Sequence, residues 1–510
     1  MNAAARAVCV AAIAAALGAC GRGEHAATPS QAEDTSVVLM PVAADPTVSF
    51  SVSFAVGSQD DPPGKEGLAF LTGQMLADAA TEKRSLDEIL EALYPLASAY
   101  DVRVDRERTT LTGRTHRDNT AKFFELYSDA FLRPAFTAAD FERVKSDAIN
   151  DLERTLRYSS DEDLGKAALE DFVFRGTRYA HPSEGTVQGL RAITLDDVRD
   201  FYRSRFTAAT ALPAVGGGYD DRTVAGLGAA VRELPRGTAS APPAIAPAPL
   251  AGRDALLIAK PGADSSISFG FPVDVHRGER DFYALWIANS WLGEHRNQSS
   301  HLFNVIRERR GLNYGDYSYI EAFPEGGHRS MPPVNVPRRE QLFQIWIRTL
   351  PNDKAVFALR AALRELASLV DRGLTSEQFE LTRGFLKKYS LHFAETASAR
   401  LGYAVDDRFY GLTGDGHLAR FRKMLDELTL DDVNAAIKRH LQYANLKIAV
   451  VTGDADGLRA ALVSGAPTPI TYDSPKPAAI TDEDREIAAF PLRIEAERVT
   501  VVPVDQAFER

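Results

Sequence analysis

The chain has 510 residues, of which 45% are hydrophobic and 25% charged, so it is long enough for two to four packed domains and is neither disordered nor fibrous. Its 59 basic residues against 70 acidic ones leave a net charge of −11, with no segregated basic patch, which argues against a nucleic-acid partner.

In chain order, residues 1–20, "MNAAARAVCVAAIAAALGAC", carry one early Arg6, a short apolar run and small residues before a Cys. This is the pattern of a secretory signal peptide, and "LGAC" further resembles a bacterial lipobox. Cys20 is then expected to become the lipid-modified first residue of a mature protein in the cell envelope, facing the periplasm, and Cys9 to leave with the peptide. No disulfide is then available to the mature chain. Residues 21–45, rich in Ala, Thr, Ser and Pro, read as a flexible tether.

From residue 46 the sequence repeats itself. "ITLDDVRDFYRSRF" at 193–206 returns as "LTLDDVNAAIKRHL" at 428–441, an offset of 235 residues, and each copy leads into a strand-like run. "FTAADFERVK" at 136–145 returns as "LTSEQFELTR" at 374–383, an offset of 238. Each copy opens on a Thr placed to cap a helix, at 194, 429, 137 and 375. A shared order at nearly one offset points to two homologous domains, 46–234 and 254–465. Each begins with an alternating strand pattern, "TVSFSVSFAVGS" or "DSSISFGFPVDV", and continues through long helices to a final strand. The fold class expected is α+β, a mainly antiparallel sheet packed with helices in each half. Residues 235–253, "PRGTASAPPAIAPAPLAG" and the Arg after it, have neither helical nor strand period and read as a linker. The tail, 466–510, is Pro-rich and ends in an alternating "RVTVVPVDQAF", expected to form a short strand or an extended arm on the body.

The first strand runs into "FAVGSQDDPPGKEGLAFLTGQML". With the two-domain organisation, this stretch resembles the pitrilysin/insulinase family of zinc metallopeptidases over about residues 47–465. The family's inverted zinc motif puts two His on one helical face and a Glu beside the metal-bound water as general base. Laid onto this chain, the first His falls on Phe70, the Glu on Gly73, the second His on Gln74, and the family's third ligand, a Glu, on Asp151. The resemblance therefore implies a degenerate member with no catalytic residues and no metal of its own. None of the ten histidines forms an i, i+3 or i, i+4 pair that could replace the motif. A site gathered from distant histidines would make the chain a peptidase with an atypical metal centre, and metal analysis separates that reading.

In the second half, "SSHLFNVIRERRGLNYGDYSY" at 299–319 resembles the family segment whose Arg and Tyr, seven positions apart, hold the substrate backbone. These are Arg307 and Tyr314, a fork of donors and a hydroxyl suited to peptide oxygens. The "RERR" run taken alone is equally consistent with a solvated helical face. In two-chain members of the family one chain brings zinc and the other the Arg/Tyr pair. The resemblance thus implies a substrate-binding subunit of a heterodimer, with zinc in an active homologue and an unfolded peptide between them. The alternative from a different class is a stand-alone peptide-binding or assembly lipoprotein without hydrolysis.

Overall fold

The computed structural model describes residues 37–238, 242, 244–324 and 329–510. Cys20 and the leader around it lie outside the described residues.

The first sheet holds β1 (Val38–Pro41), β2 (Thr47–Phe54), β3 (Ala99–Val104), β4 (Thr109–His116) and β5 (Ala211–Gly217) in the order β1-β5-β2-β4-β3. The second holds β6 (Arg253–Ala259), β7 (Ser265–Val273), β8 (Asp316–Tyr319), β9 (Gln341–Leu350), β10 (Leu446–Thr452) and β11 (Val499–Pro503) in the order β11-β6-β10-β7-β9-β8. Remove β11 and the two orders are the same permutation. In each, the first strand pairs parallel to the last and the other neighbours are antiparallel. The four repeat threonines cap as expected: Thr137, Thr194, Thr375 and Thr429 accept from the amides of Asp140, Asp197, Gln378 and Asp432 at 3.1–3.3 Å. Each satisfies one orphan donor of the first turn, which is why the pattern marks a helix start.

Alternation in β2 puts Val48, Phe50, Val52 and Phe54 into the first core, but Ser49, Ser51 and Ser53 on the opposite face are buried as well. The cause is an exchange of helices between the halves. The helix Ala397–Phe409 crosses back to cover β1, β2 and β5, with Leu401 and Val405 packed on Leu212 and Ala214 and the Ser398 hydroxyl 3.0 Å from that of Ser49. Its counterpart, Asp161–Phe174, crosses forward to cover the second sheet, where Leu164, Ala168 and Leu169 meet Leu256, Ile258, Ala449 and Val451. Small Ser and Gly side chains on the outer strand faces let these helices approach. A Cβ on Gly165 of the crossing helix would lie in ordinary contact with the Ser268 hydroxyl, at 3.5 Å.

Three sequence boundaries shift. The segment taken as tether already contributes β1, which pairs with β5 from Val38 to Pro41. Pro/Ala composition hid this strand because its pairing partner lies far along the chain. Ile245, inside the expected linker, is buried against the second sheet, and Arg253 opens β6. The tail is more than an arm. Its helix Ala478–Ala489 packs on the second domain, β11 extends the sheet beside β6, and the last residues return to the first half, where Val187 and Gln188 amides donate to the carbonyls of Phe508 and Glu509. The Arg157 guanidinium donates to the Ala507 carbonyl at 2.9 Å and pairs with Glu509. No helix among the described residues is long and apolar enough to cross a membrane.

Candidate functional site

The motif helix, Leu68–Ala77, begins at Gly67 without a side-chain cap of its own. Asp61, buried, supplies the acceptors instead, taking the amides of Gly67 and Ala69 at 2.7 Å each. Burial pushes its carboxyl up to about 8 against the pull of those two amides. The Gly57 that opens the loop into this helix is required by close approach. A Cβ there would meet the carbonyls of Asp105 and Arg106 at 2.4 and 2.6 Å.

The three motif positions follow one another around the helix. Phe70 is half-buried against the first core, Gln74 is half-buried, and Gly73 is fully inside. A Cβ on Gly73 would sit 2.5 Å from Val104 Cγ2 and 3.3 Å from Thr109 Cγ2. The helix packs closely on β3 and β4 at Gly73, the position aligned with the general base. Asp151 stands exposed at the head of a π-helical stretch, Asp151–Ser159, and accepts from the Thr155 hydroxyl at 3.3 Å. These residues do not fit zinc: an arene and a carboxamide stand where two imidazoles are needed, and a hydrogen atom where the general-base carboxylate would be. Among the described residues no group of three or more His, Cys, Asp or Glu is placed to hold a metal ion. His295 and His301, the nearest pair in sequence, are engaged elsewhere. His301 bonds Glu365 at 2.6 Å and stacks on Trp291, while His295, held down to about 4 by burial, donates from Nε2 to the Arg329 carbonyl at 2.9 Å and bonds the Tyr319 hydroxyl through Nδ1.

Arg307 and Tyr314 come together on the second domain. Arg307 lies in a π-helical turn, Phe303–Glu308, and Gly311 reverses the chain with φ +71° so that Tyr314 returns beside it. The guanidinium carbon lies 4.5 Å from the Tyr314 ring centroid and 5.3 Å from that of Phe303. Tyr314 is 72% exposed, which is unusual for a large ring and leaves its face and hydroxyl available. Arg307 Nε is buried without a hydrogen-bond partner, its nearest acid being Glu308 at 3.8 Å. The neighbouring Arg310 is not solvated: it is buried and tied to Asp484 and Glu483 of the tail helix at 2.7 and 2.8 Å. Among the described residues no hydrogen bond or ion pair links the Arg/Tyr pair to the motif helix. The chain brings the two members of the pair into contact with each other.

Sequence reading missed Arg348 and Asn313 beside that pair. Arg348, at the end of β9, has its guanidinium carbon 5.8 Å from the same Tyr314 ring. Its Nε is 2.9 Å from Glu162 of the crossing helix. Asn313 donates to Asp316 at 2.7 Å and to the carbonyls of Gly315 and Arg348 at 3.2 Å. A lone Arg near the end of the apolar run "QLFQIWIRTL" was the only available signal.

The sequence model of insulinase, peptidase family M16, matches residues 37–186, and that of the M16 inactive domain matches residues 192–385. An uncharacterized zinc protease of Streptomyces coelicolor is 24% identical over 405 residues, covering 77% of this chain and 82% of the relative. The non-peptidase homolog YmxG of Helicobacter pylori is 22% identical over 403 residues, covering 79% and 88%. Among solved structures, a peptidase M16 inactive domain from Pseudomonas fluorescens superposes with a TM-score of 0.71 at 21% identity, over 82% of this chain and 95% of that one. With both domain models matched in order across most of its length, the chain belongs to the insulinase family of peptidases, family M16.

Proposed function

We propose that this chain is a non-catalytic member of the family that serves as the substrate-binding partner of a zinc-bearing homologue in the bacterial cell envelope. The observation that carries the reading is an asymmetry. Gly73 closes the base position by packing, whereas Arg307 and Tyr314 stand side by side on the second domain with the Tyr314 ring 72% exposed. The name of the Helicobacter pylori relative, a non-peptidase homolog, agrees with a silent catalytic half. The reaction would be metal-assisted hydrolysis of an unfolded peptide. The partner supplies zinc and general base, and this chain supplies two donors to the peptide backbone and part of the chamber wall.

The test is co-expression with a homologue that carries an intact H-x-x-E-H, followed by purification and peptide cleavage. Arg307→Ala or Tyr314→Phe should lower the rate of the complex about 10- to 100-fold, the usual consequence of removing one charged or positioned donor. Association of the two chains should survive both changes. Unchanged rates in an intact complex would remove the clamp role and leave a stand-alone binding or assembly lipoprotein as the better reading. Placement is tested separately. Cys20→Ser should shift the protein from the membrane fraction to the soluble one, since a multi-chain lipid at that residue is the anchor proposed. Retention of the variant in the membrane would refute lipidation.

A further inference from the structure

We propose that Arg348 joins Arg307 and Tyr314 in a two-arginine subsite that recognises a carboxylate of the bound peptide, so that this chain selects acidic or C-terminal segments. The inference rests on the substrate-binding reading above and adds a specificity to it. Two guanidiniums converge on one exposed ring, at 4.5 Å for Arg307 and 5.8 Å for Arg348. Contact between a peptide backbone carbonyl and a single Arg needs no second cation. Two forks at one place match the planar, bidentate acceptor geometry of a carboxylate.

The site is built rather than accidental. Arg348 is oriented from below, its Nε held by Glu162 at 2.9 Å and its backbone amide donating to the Gly315 carbonyl at 3.1 Å. Asn313 braces the loop 313–316 through hydrogen bonds to Gly315 and Asp316 and ties it to β9 through one to the Arg348 carbonyl. The forks are thus held in place before a ligand arrives. Beneath them lies Asp316, fully buried, with Oδ2 lacking a hydrogen-bond partner. Burial raises its carboxyl well above the usual range, against the Asn313 hydrogen bond and the pull of both arginines. Glu308, 3.8 Å from Arg307 Nε, is too far for a hydrogen bond and half in water. Glu162, 2.9 Å from Arg348 Nε and 2.7 Å from Lys166, balances part of the charge, which leaves Arg307 as the member of the pair with no carboxylate within hydrogen-bond reach.

The experiment measures binding of the purified full chain to three unstructured, fluorescently labelled peptides of equal length. One has no acidic side chain and a free C-terminal carboxylate. The second is its C-terminal amide, and the third is that amide with one internal Gln replaced by Glu. At least one carboxylate-bearing peptide should bind roughly 10-fold or more tightly than the neutral amide, and which one does identifies the source of the carboxylate. Arg348→Gln should bring that ratio close to one by weakening the carboxylate-bearing peptide roughly 10-fold or more. Equal binding of all three peptides by the unmodified chain overturns the subsite without any variant, and leaves the substrate-binding reading standing. Absence of binding by every peptide overturns both. A preference that survives in a folded Arg348→Gln chain assigns it elsewhere and likewise overturns the proposal.

Discussion

Rewriting Phe70, Gly73 and Gln74 as His, Glu and His should yield neither a zinc-loaded chain nor a peptidase, and should lower folding stability by more than about 3 kcal/mol. Nearly all of the loss should come from Gly73→Glu. Its Cβ alone would lie 2.5 Å from Val104 Cγ2, and Val is β-branched and stiff about χ1. Val104 cannot retreat with its strand, because it faces Thr109 at the end of the β3–β4 ladder and Thr109 lines the other side of the gap. The remaining atoms of the Glu would then place a carboxylate in an apolar core without a partner. Gly73→Ala isolates the steric part, about 1–3 kcal/mol of overpacking offset by about 1 kcal/mol of helix propensity. Phe70→His and Gln74→His, at half-buried positions, should each be mild by comparison. Urea unfolding of the three single variants and elemental analysis of the triple variant decide the matter. A triple variant as stable as the parent and carrying one zinc per chain would show that the helix can back away from the sheet.

That packing explains how much of the site could be read from sequence. The motif alignment names Gly73 as a lost base, but it cannot say whether the space was kept or filled. The answer depends on Val104 and Thr109, more than thirty residues away and on another element. Arg307 and Tyr314 were legible because their spacing of seven survives a local turn at Gly311. Arg348 and Asp316 were not, because they reach the site through strand pairing between β8 and β9, a long-range register that periodicity does not encode.

The fold divides in the same way. Caps and duplications are local and were readable from four threonines and their acidic followers. The exchange of helices was not. Ser49, Ser51 and Ser53 alternate with Val and Phe like the wet face of an ordinary antiparallel sheet, yet they are buried under a helix some 350 residues further along. Nothing local in "TVSFSVSF" distinguishes a Ser that meets water from one that makes room for a helix. The same limitation hid β1, whose four residues acquire strand character only through β5.

Arg338→Met should remove about 3–5 kcal/mol of stability at neutral pH, the expected result of leaving buried carboxylates without their cation. Arg338, from the segment before β9, crosses to the first half and grips Asp105 with two bonds, Nε to Oδ2 at 2.9 Å and Nη2 to Oδ1 at 2.7 Å, while its Nη1 donates to Glu170. Arg106 reaches the same Glu170 at 3.0 Å, and next door Arg339 holds Glu107 at 2.6 Å. Asp105, Arg106, Glu107 and Arg338 are all buried, so these pairs are only weakly screened. For both Asp105 and Glu170, burial raises the carboxyl, but Arg338 and then Arg106 outweigh it and hold the group below its ordinary value. A depressed carboxylate contributes stability above its unfolded pKa, about 4, and loses that contribution as pH falls through the folded value. Without Arg338 the burial term stands less opposed and the two carboxyls titrate higher. The stability gap between parent and variant should therefore be widest between about pH 6 and 8 and shrink as pH falls below about 4. Asp61 and Asp406, raised by burial to about 8 and about 7, have the opposite slope: their stability is present in acid and lost as pH rises through those values. Both proteins share them, so they cancel in the difference. Thermal unfolding of the two chains across this range reads the gap directly. A gap that stays constant with pH would mean that Arg338 holds the halves together by packing alone, and that the charge it carries between them contributes nothing.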